Sequence, residues 1–320
     1  MPLHKLTQRL KDLALSLGFD RCRIVRADPI GRTQYVRAWL ESGRAGTMEY
    51  LHRNFKARTN PRELLRGAKS VIVVALQYYR QRPPIPDDRR DPRGRVAMYA
   101  WGDDYHDIIK AKLRKIDDYM RSKSAEPFDA KACVDTGALM ERELAAAAGI
   151  GWIGKNTMVL HHQLGSYFFL GALVTTLDLV PDQPVADRCG TCTACLEACP
   201  TEAFPAPHQM DASRCISYLT IEHRHDIPES LKPKMGDWIF GCDVCQEVCP
   251  YNHHAPTTRE PRFKIRPPGP QPKLEDILGW SMDDCRTLLR GSALRRATLQ
   301  MLKRNALIAK ANADRALGEH

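Results

Sequence analysis

The sequence predicts an α+β fold in three segments, and three observations carry that reading. Apolar strands alternate with amphipathic helices through residue 180. Eight of the 11 cysteines fall between Cys189 and Cys249, and the residues after 275 return to helical spacing with a basic bias. We therefore expect a layered α/β domain over 1–180, a cysteine-rich module over 181–258, and a basic linker with a short helical segment over 259–320. At 320 residues, with 43% hydrophobic and 27% charged content, the chain can bury a sizeable core and has the composition of neither a disordered nor a membrane protein.

Each element has its own warrant. Leu3, Leu6, Leu10, Leu13 and Leu17 recur at helical spacing before Gly18, which predicts a first helix over 3–17. A short strand follows over 22–25, then a helix over 33–42 stopped near Gly43. Residues 70–78 (SVIVVALQY) are dense in β-branched side chains and read as a buried strand. Four prolines and many charges make 81–95 an exposed loop. Ile108, Ile109, Leu113, Ile116 and Met120 share one face of a helix over 105–123. A strand over 128–134, a helix over 138–148 closed by Gly149, and an apolar strand over 167–179 complete the first segment. The alternation does not say whether the sheet is parallel. The Pro-rich basic stretch 262–273 reads as a linker.

No apolar run approaches the ~20 residues that a membrane span needs. The opening residues carry neither an apolar core region nor a twin-arginine pair, so we expect a cytoplasmic protein. Cysteines in that compartment are kept reduced, so eight clustered thiols point to metal rather than to disulfides. Cys189-x2-Cys192-x2-Cys195-x3-Cys199-Pro200 matches the run of two-cluster bacterial ferredoxins. In that run three thiolates hold one 4Fe–4S cubane and the fourth cysteine reaches to the other. The second half, Cys242-x2-Cys245-x3-Cys249-Pro250, lacks its first cysteine because Ile239 stands there; Cys215 is the replacement. The expected ligand sets are Cys189, Cys192, Cys195 with Cys249, and Cys242, Cys245, Cys215 with Cys199. Paired CxxC also makes zinc sites, but two x3-Cys-Pro steps favour clusters. Cys22, Cys133 and Cys285 are left over and are expected to be inert thiols.

The formal net charge of +10, with a pI near 9.1, suits a polyanionic partner as well as plain solubility. An Asp between a strand and a helix, as at Asp135, is by spacing alone more often a helix N-cap than an acid catalyst. The glycine-rich stretch Gly151-Trp152-Ile153-Gly154-Lys155-Asn156 is expected to bring backbone close to a ligand, with Lys155 and Asn156 as donors.

Several blocks resemble the epoxyqueuosine reductases: Val134-Asp135-Thr136-Gly137, Glu141-Arg142-Glu143-Leu144-Ala145, Gly149-Ile150-Gly151-Trp152-Ile153-Gly154-Lys155-Asn156-Thr157, Trp101-Gly102-Asp103-Asp104-Tyr105-His106, Arg58-Thr59-Asn60-Pro61 and Cys215-Ile216-Ser217-Tyr218-Leu219-Thr220-Ile221-Glu222. The resemblance covers nearly the whole chain. It implies a nitroreductase- or dehalogenase-like domain that binds cobalamin, fed by two 4Fe–4S clusters from an external low-potential electron donor. It also implies reduction of epoxyqueuosine to queuosine at the tRNA wobble position. On this resemblance Asp135 is the proton donor. Arg58, Lys155, Asn156, Ser217 and Glu222 are cofactor-binding candidates, with Tyr105 and His106 facing cofactor or substrate. Asp104-x-His106 lacks the glycine of histidine-ligated cobalamin proteins, so base-off cobalamin without a protein histidine on cobalt is expected. Some members carry a cysteine where this chain has Ala97, which removes a cysteine-assisted route. The basic run 292–305 resembles the first of the HEAT-like helical repeats that longer members append, and Arg295, Arg296, Lys303 and Arg304 are candidates to grip the tRNA backbone. Alternative readings are a small-molecule corrinoid reductase, an electron-transfer protein without catalysis, and a zinc-stabilised RNA-binding protein.

Overall fold

The computed structural model describes residues 2–84 and 91–318. The sheet at its centre has four strands, in the order Arg21–Arg26, Ser70–Gln77, Phe168–Thr175, Ala130–Cys133, and every pairing is antiparallel. The helix–strand alternation therefore folds as α+β, with no parallel pair in this central sheet. The second strand is buried along all eight residues because both faces are covered. Ile72, Val74 and Leu76 pack against the helices Leu3–Ser16 and Tyr105–Lys123, while Val71, Val73 and Ala75 face Thr33–Glu41 and Glu141–Ala147. Gly171 lets the long helix come close: a Cβ there would meet Ile109 Cγ2 at 2.5 Å.

The predicted helices over 3–17, 33–42 and 105–123 are found within a residue or two of their expected ends. The helix expected over 138–148 starts later, at Glu141, because residues 134–140 form an irregular loop. The glycine-rich stretch is a small hairpin, Trp152–Ile153 against Val159–Leu160. Of the expected 81–95 loop, residues 85–90 lie outside the described residues, and its end enters a two-residue strand, Arg95–Val96, parallel to Trp238–Phe240.

Two expectations for the C-terminal third need correction. The stretch 262–273 is not a free linker. Phe263 is buried in the main core, Arg80 Nε donates to its carbonyl at 2.6 Å, and Arg266 donates to Asp103 and to the Gly291 carbonyl. Nor is 292–305 one basic helix: Ala293–Arg296 is a 3-10 turn capped by Ser292, and the helix Leu299–Gly318 begins after it. Met301, Leu302, Ala306 and Ala309 of that helix join the same core as Leu6, Ile72 and Phe240. Buried Asn305 stitches it in place, donating to the Thr220 and Ile239 carbonyls at 3.0 and 2.9 Å. Apolar burial therefore runs continuously through all three expected segments.

A candidate active site beside two cysteine cages

The Cys195 thiol feels the charges of Cys249, Cys189 and Cys192, and the Cys245 thiol those of Cys242, Cys215 and Cys199. The members of each expected quartet therefore lie within electrostatic reach of one another. The Ala203 N–H donates to Cys199 Sγ at 3.3 Å, and the Trp152 indole to Cys189 Sγ at 3.4 Å. The backbone N–H groups of Ser217 and Tyr218 face Cys215, and that of Val244 faces Cys242. Thiolate donors braced by N–H groups in a largely apolar setting fit iron–sulfur cubanes. The quartets differ in depth. Cys192 is exposed, whereas desolvation drives the Cys242 and Cys245 thiols well above their ordinary value. Gly241, at φ +67°, presses on Ala97, whose Cβ is 2.5 Å from where a glycine Cβ would sit. Cys22 and Cys133 are buried thiols pushed up, by desolvation first, to about 12 and about 11, and Cys285 is half-buried.

Lys155 and Asn156 do not face an open ligand site. Lys155 Nζ donates to the Gly190 and Cys192 carbonyls at 2.7 and 2.9 Å, and Asn156 Nδ2 to the Cys245 carbonyl at 3.2 Å. Their donors clamp the cysteine loops, so the expectation that they serve a separate cofactor is corrected.

A cluster of polar side chains gathers around Asp135, which follows the strand Ala130–Cys133 at φ +52°. Its carboxylate caps nothing. The residue preceding the next helix is Met140, which makes no side-chain cap. The bond runs the other way: the Asp135 N–H donates to Glu141 Oε1 and Oε2 at 3.0 and 3.1 Å. The Asp135 carboxylate, 62% exposed, lies 3.4 Å from His106 Nε2, while His106 Nδ1 is 2.7 Å from Asp104 Oδ1. Asp104 is also the N-cap of the long helix, accepting the His106 N–H at 3.0 Å. Tyr105 stacks between His106 and Phe169, at 4.2 and 4.0 Å, with its hydroxyl in reach of Asp135.

Charge is distributed unevenly here. Partial burial pushes the Asp135 carboxyl up, but His106, then Tyr105 and Arg296, outweigh it and hold it below the usual carboxylate range. Burial pulls His106 down, yet Asp104 and Asp135 raise it to about 9. Glu141 is pushed up to about 8 by burial and then by the Asp135 charge. Near neutral pH the balance of charges therefore favours protons on His106 and Glu141 over Asp135.

Arg58 and the Glu222–Arg296 pair lie close to this cluster. Arg58 Nη2 donates to the Tyr50 carbonyl at 3.2 Å, and its charge is felt by Tyr50 together with that of Asp135. Arg296 makes a two-pronged pair with Glu222 at 2.9 and 3.0 Å, above the Tyr50 ring. Ser217, half-buried, is marked only by its N–H toward Cys215. Arg304 points inward, donating to the His223 and Leu219 carbonyls at 2.7 Å, so the expected backbone-gripping role is corrected for this residue. Arg295 is exposed and Lys303 half-buried. Spacing missed Glu141, Asp104 and Tyr50. The Asp135-x5-Glu141 interval and the Asp104-x-His106 pair were the available signals.

Among the described residues, no helix is long and apolar enough to cross a membrane. Residues 188–252 match the family model described as a 4Fe-4S double cluster binding domain, and 58–136 the model for "Epoxyqueuosine reductase QueG, DUF1730". The epoxyqueuosine reductase of Escherichia coli (strain K12) is 38% identical over 318 residues, covering 98% of this chain and 83% of that one. A crystal structure of epoxyqueuosine reductase with a tRNA-Tyr epoxyqueuosine-modified stem loop superposes with a TM-score of 0.91 at 33% identity, covering 98% of this chain and 82% of the other. The enzyme from Bacillus subtilis, seen with its catalytic aspartate loop swung out of the active site, gives 0.90 at 31% identity over 99% and 85%. With the double-cluster module and nearly the full length shared, the chain belongs to the epoxyqueuosine reductases and is an oxidoreductase.

Proposed function

We propose that the chain reduces epoxyqueuosine to queuosine at the wobble position of tRNA, the last step of queuosine formation, using cobalamin fed by two 4Fe–4S clusters. The carrying observation is the convergence on Asp135. Side chains from the sheet domain, the cysteine module and the C-terminal turn meet there. Loss of an epoxide oxygen as water takes two electrons and two protons. The exposed quartet suits entry of electrons from an external low-potential donor, the deeper one their delivery.

A buried Arg58 Nε without a partner in the chain fits a polar cofactor beside Asp135, with Ser217 and Glu222 on the other wall. When bound, cobalamin supplies low-valent cobalt able to break the epoxide carbon–oxygen bond. His106 Nε2 faces the Asp135 carboxylate, which supports a cofactor held without a protein histidine. Asp135, the counterpart of the mobile aspartate loop in the Bacillus enzyme, delivers a proton to the leaving oxygen. Arg295 and Lys303 remain for the tRNA backbone, while Tyr105 and His106 back Asp135 from inside. A tRNA substrate places the protein in the cytoplasm.

The test is anaerobic loading with iron, sulfide and cobalamin, then a reductant with tRNA bearing epoxyqueuosine, and nucleoside analysis. Queuosine should appear, and Asp135→Asn should bind both cofactors yet nearly abolish it. Fully loaded protein that makes no queuosine would overturn the assignment.

A further inference from the structure

The reaction consumes two protons, yet its neighbours hold the exposed Asp135 carboxyl below the usual carboxylate range, so its proton must come from behind. We propose that His106 is the relay that aims the Asp135 carboxylate and supplies its proton, with Asp104 orienting the ring from the other side. This deepens the functional reading above and rests on it.

Three contacts define the path. His106 Nδ1 is fixed 2.7 Å from Asp104 Oδ1, which leaves Nε2 to face the Asp135 carboxylate at 3.4 Å. The imidazole cannot tip away easily, because Tyr105 stacks on it at 4.2 Å and is itself backed by Phe169. Nε2 is buried and forms no well-angled hydrogen bond, so its hydrogen has one acceptor ahead of it and no competitor. Asp104, in turn, is held by the helix it caps.

The step balances simply. As the first epoxide carbon–oxygen bond breaks with electrons from the clusters, the Nε2 proton of the imidazolium moves to the Asp135 carboxylate, which hands it to the oxygen, leaving neutral His106 with its Nδ1 proton on Asp104. His106 is recharged from solvent past Asp104, which is a quarter exposed, and a second proton follows the same path as the other carbon–oxygen bond breaks, so that the two electrons close the carbon–carbon double bond and water leaves. Charged groups of several elements act on this ring, Arg58 among them through Asp135. Asp104 lies on its own helix, Asp135 on the neighbouring loop and Glu141 on the helix that follows. Arg295 acts on Asp104, and Arg296 on Asp135, from the C-terminal turn. His106 acts through Asp135 and is a positioning and relay residue.

The first readout needs no cofactor: a histidine-resolved NMR titration of the protein with the His106 resonance assigned. His106 should titrate near pH 9 and fall by at least one pH unit in Asp104→Asn and in Asp135→Asn. The second is the pH profile of single-turnover queuosine formation. The native rate should lose its plateau near the same pH. His106→Gln, which keeps an N–H donor but carries no mobile proton, should be about 10²-fold slower with unchanged KM for tRNA and no alkaline limb there. Asp104→Asn, which retains the helix cap, should move the limb to lower pH. An ordinary His106 titration, or His106→Gln at native rate with the native profile, overturns the relay while native turnover stands. Absence of queuosine from the native protein instead sinks the functional assignment, and the titration still decides the pairing.

Discussion

Glu141→Ala should release the loop that carries Asp135. The Asp135 N–H is held by both Glu141 oxygens, at 3.0 and 3.1 Å, while Asp135 itself sits at φ +52°. A non-glycine residue in that region costs about 1–3 kcal/mol and persists only where neighbours enforce it. The Glu141 bond contributes about 1 kcal/mol with the carboxyl protonated and about 2 kcal/mol once ionised. Removing it lowers the ratio of seated to unseated loop by about fivefold to thirtyfold, at 1.4 kcal/mol per factor of ten. Single-turnover queuosine formation should drop by a similar factor with cofactor content and KM for tRNA unchanged. Hydrogen exchange of residues 134–140 should quicken. Glu141→Gln keeps one carbonyl acceptor and should retain the rate within about threefold, since a neutral bond is nearly preserved. The pH dependence gives a second check. Glu141, pushed up to about 8 by burial and the Asp135 charge, binds a proton in the folded chain that it lacks when unfolded above its ordinary 4.5. Its contribution is therefore complete below about 4.5 and lost as pH rises through about 8. The thermal midpoint of Glu141→Gln should fall less across that window than that of the native protein. A Glu141→Ala variant with native rate, native exchange and a native pH profile would refute the latch.

Two other outcomes test the scaffold. Cys215→Ala should remove the deeper cluster and spare the outer one, so anaerobic iron content and the cluster absorbance should fall by about half; loss of both, or of neither, would contradict the quartets. Asn305→Leu leaves the Thr220 and Ile239 carbonyls without their donor in a fully buried position. At about 1–3 kcal/mol for each orphaned group, the thermal midpoint should drop by several degrees, while Asn312→Ala at the more exposed end of the same helix should cost less.

How much of this was legible in the residues depends on how local each signal is. The cysteine quartets were readable because ligand spacing is a contract within a short stretch, and even the displaced member, Cys215, was the one thiol near enough to substitute. The first strands and helices were readable because two-sided burial of Val71–Leu76 and the single apolar face of Ile108–Met120 show directly as periodicity. Asp135 was ambiguous for a physical reason. A carboxylate before a helix and a carboxylate beneath a substrate occupy the same sequence context, and what separates them is which partner turns toward them. Here the helix supplies the carboxylate that accepts the Asp135 N–H, freeing the Asp135 side chain to meet His106 from a distant part of the chain. Arg304 and Lys155 failed for the converse reason: basic side chains beside a basic run look like phosphate ligands until carbonyls from another segment satisfy them. A charged residue's role is set by which unsatisfied backbone group tertiary packing brings to it. Among the described residues, Arg58 Nε and His106 Nε2 are buried beside Asp135 without a well-formed hydrogen bond, and they are therefore stronger pointers to function than any arginine counted along the sequence.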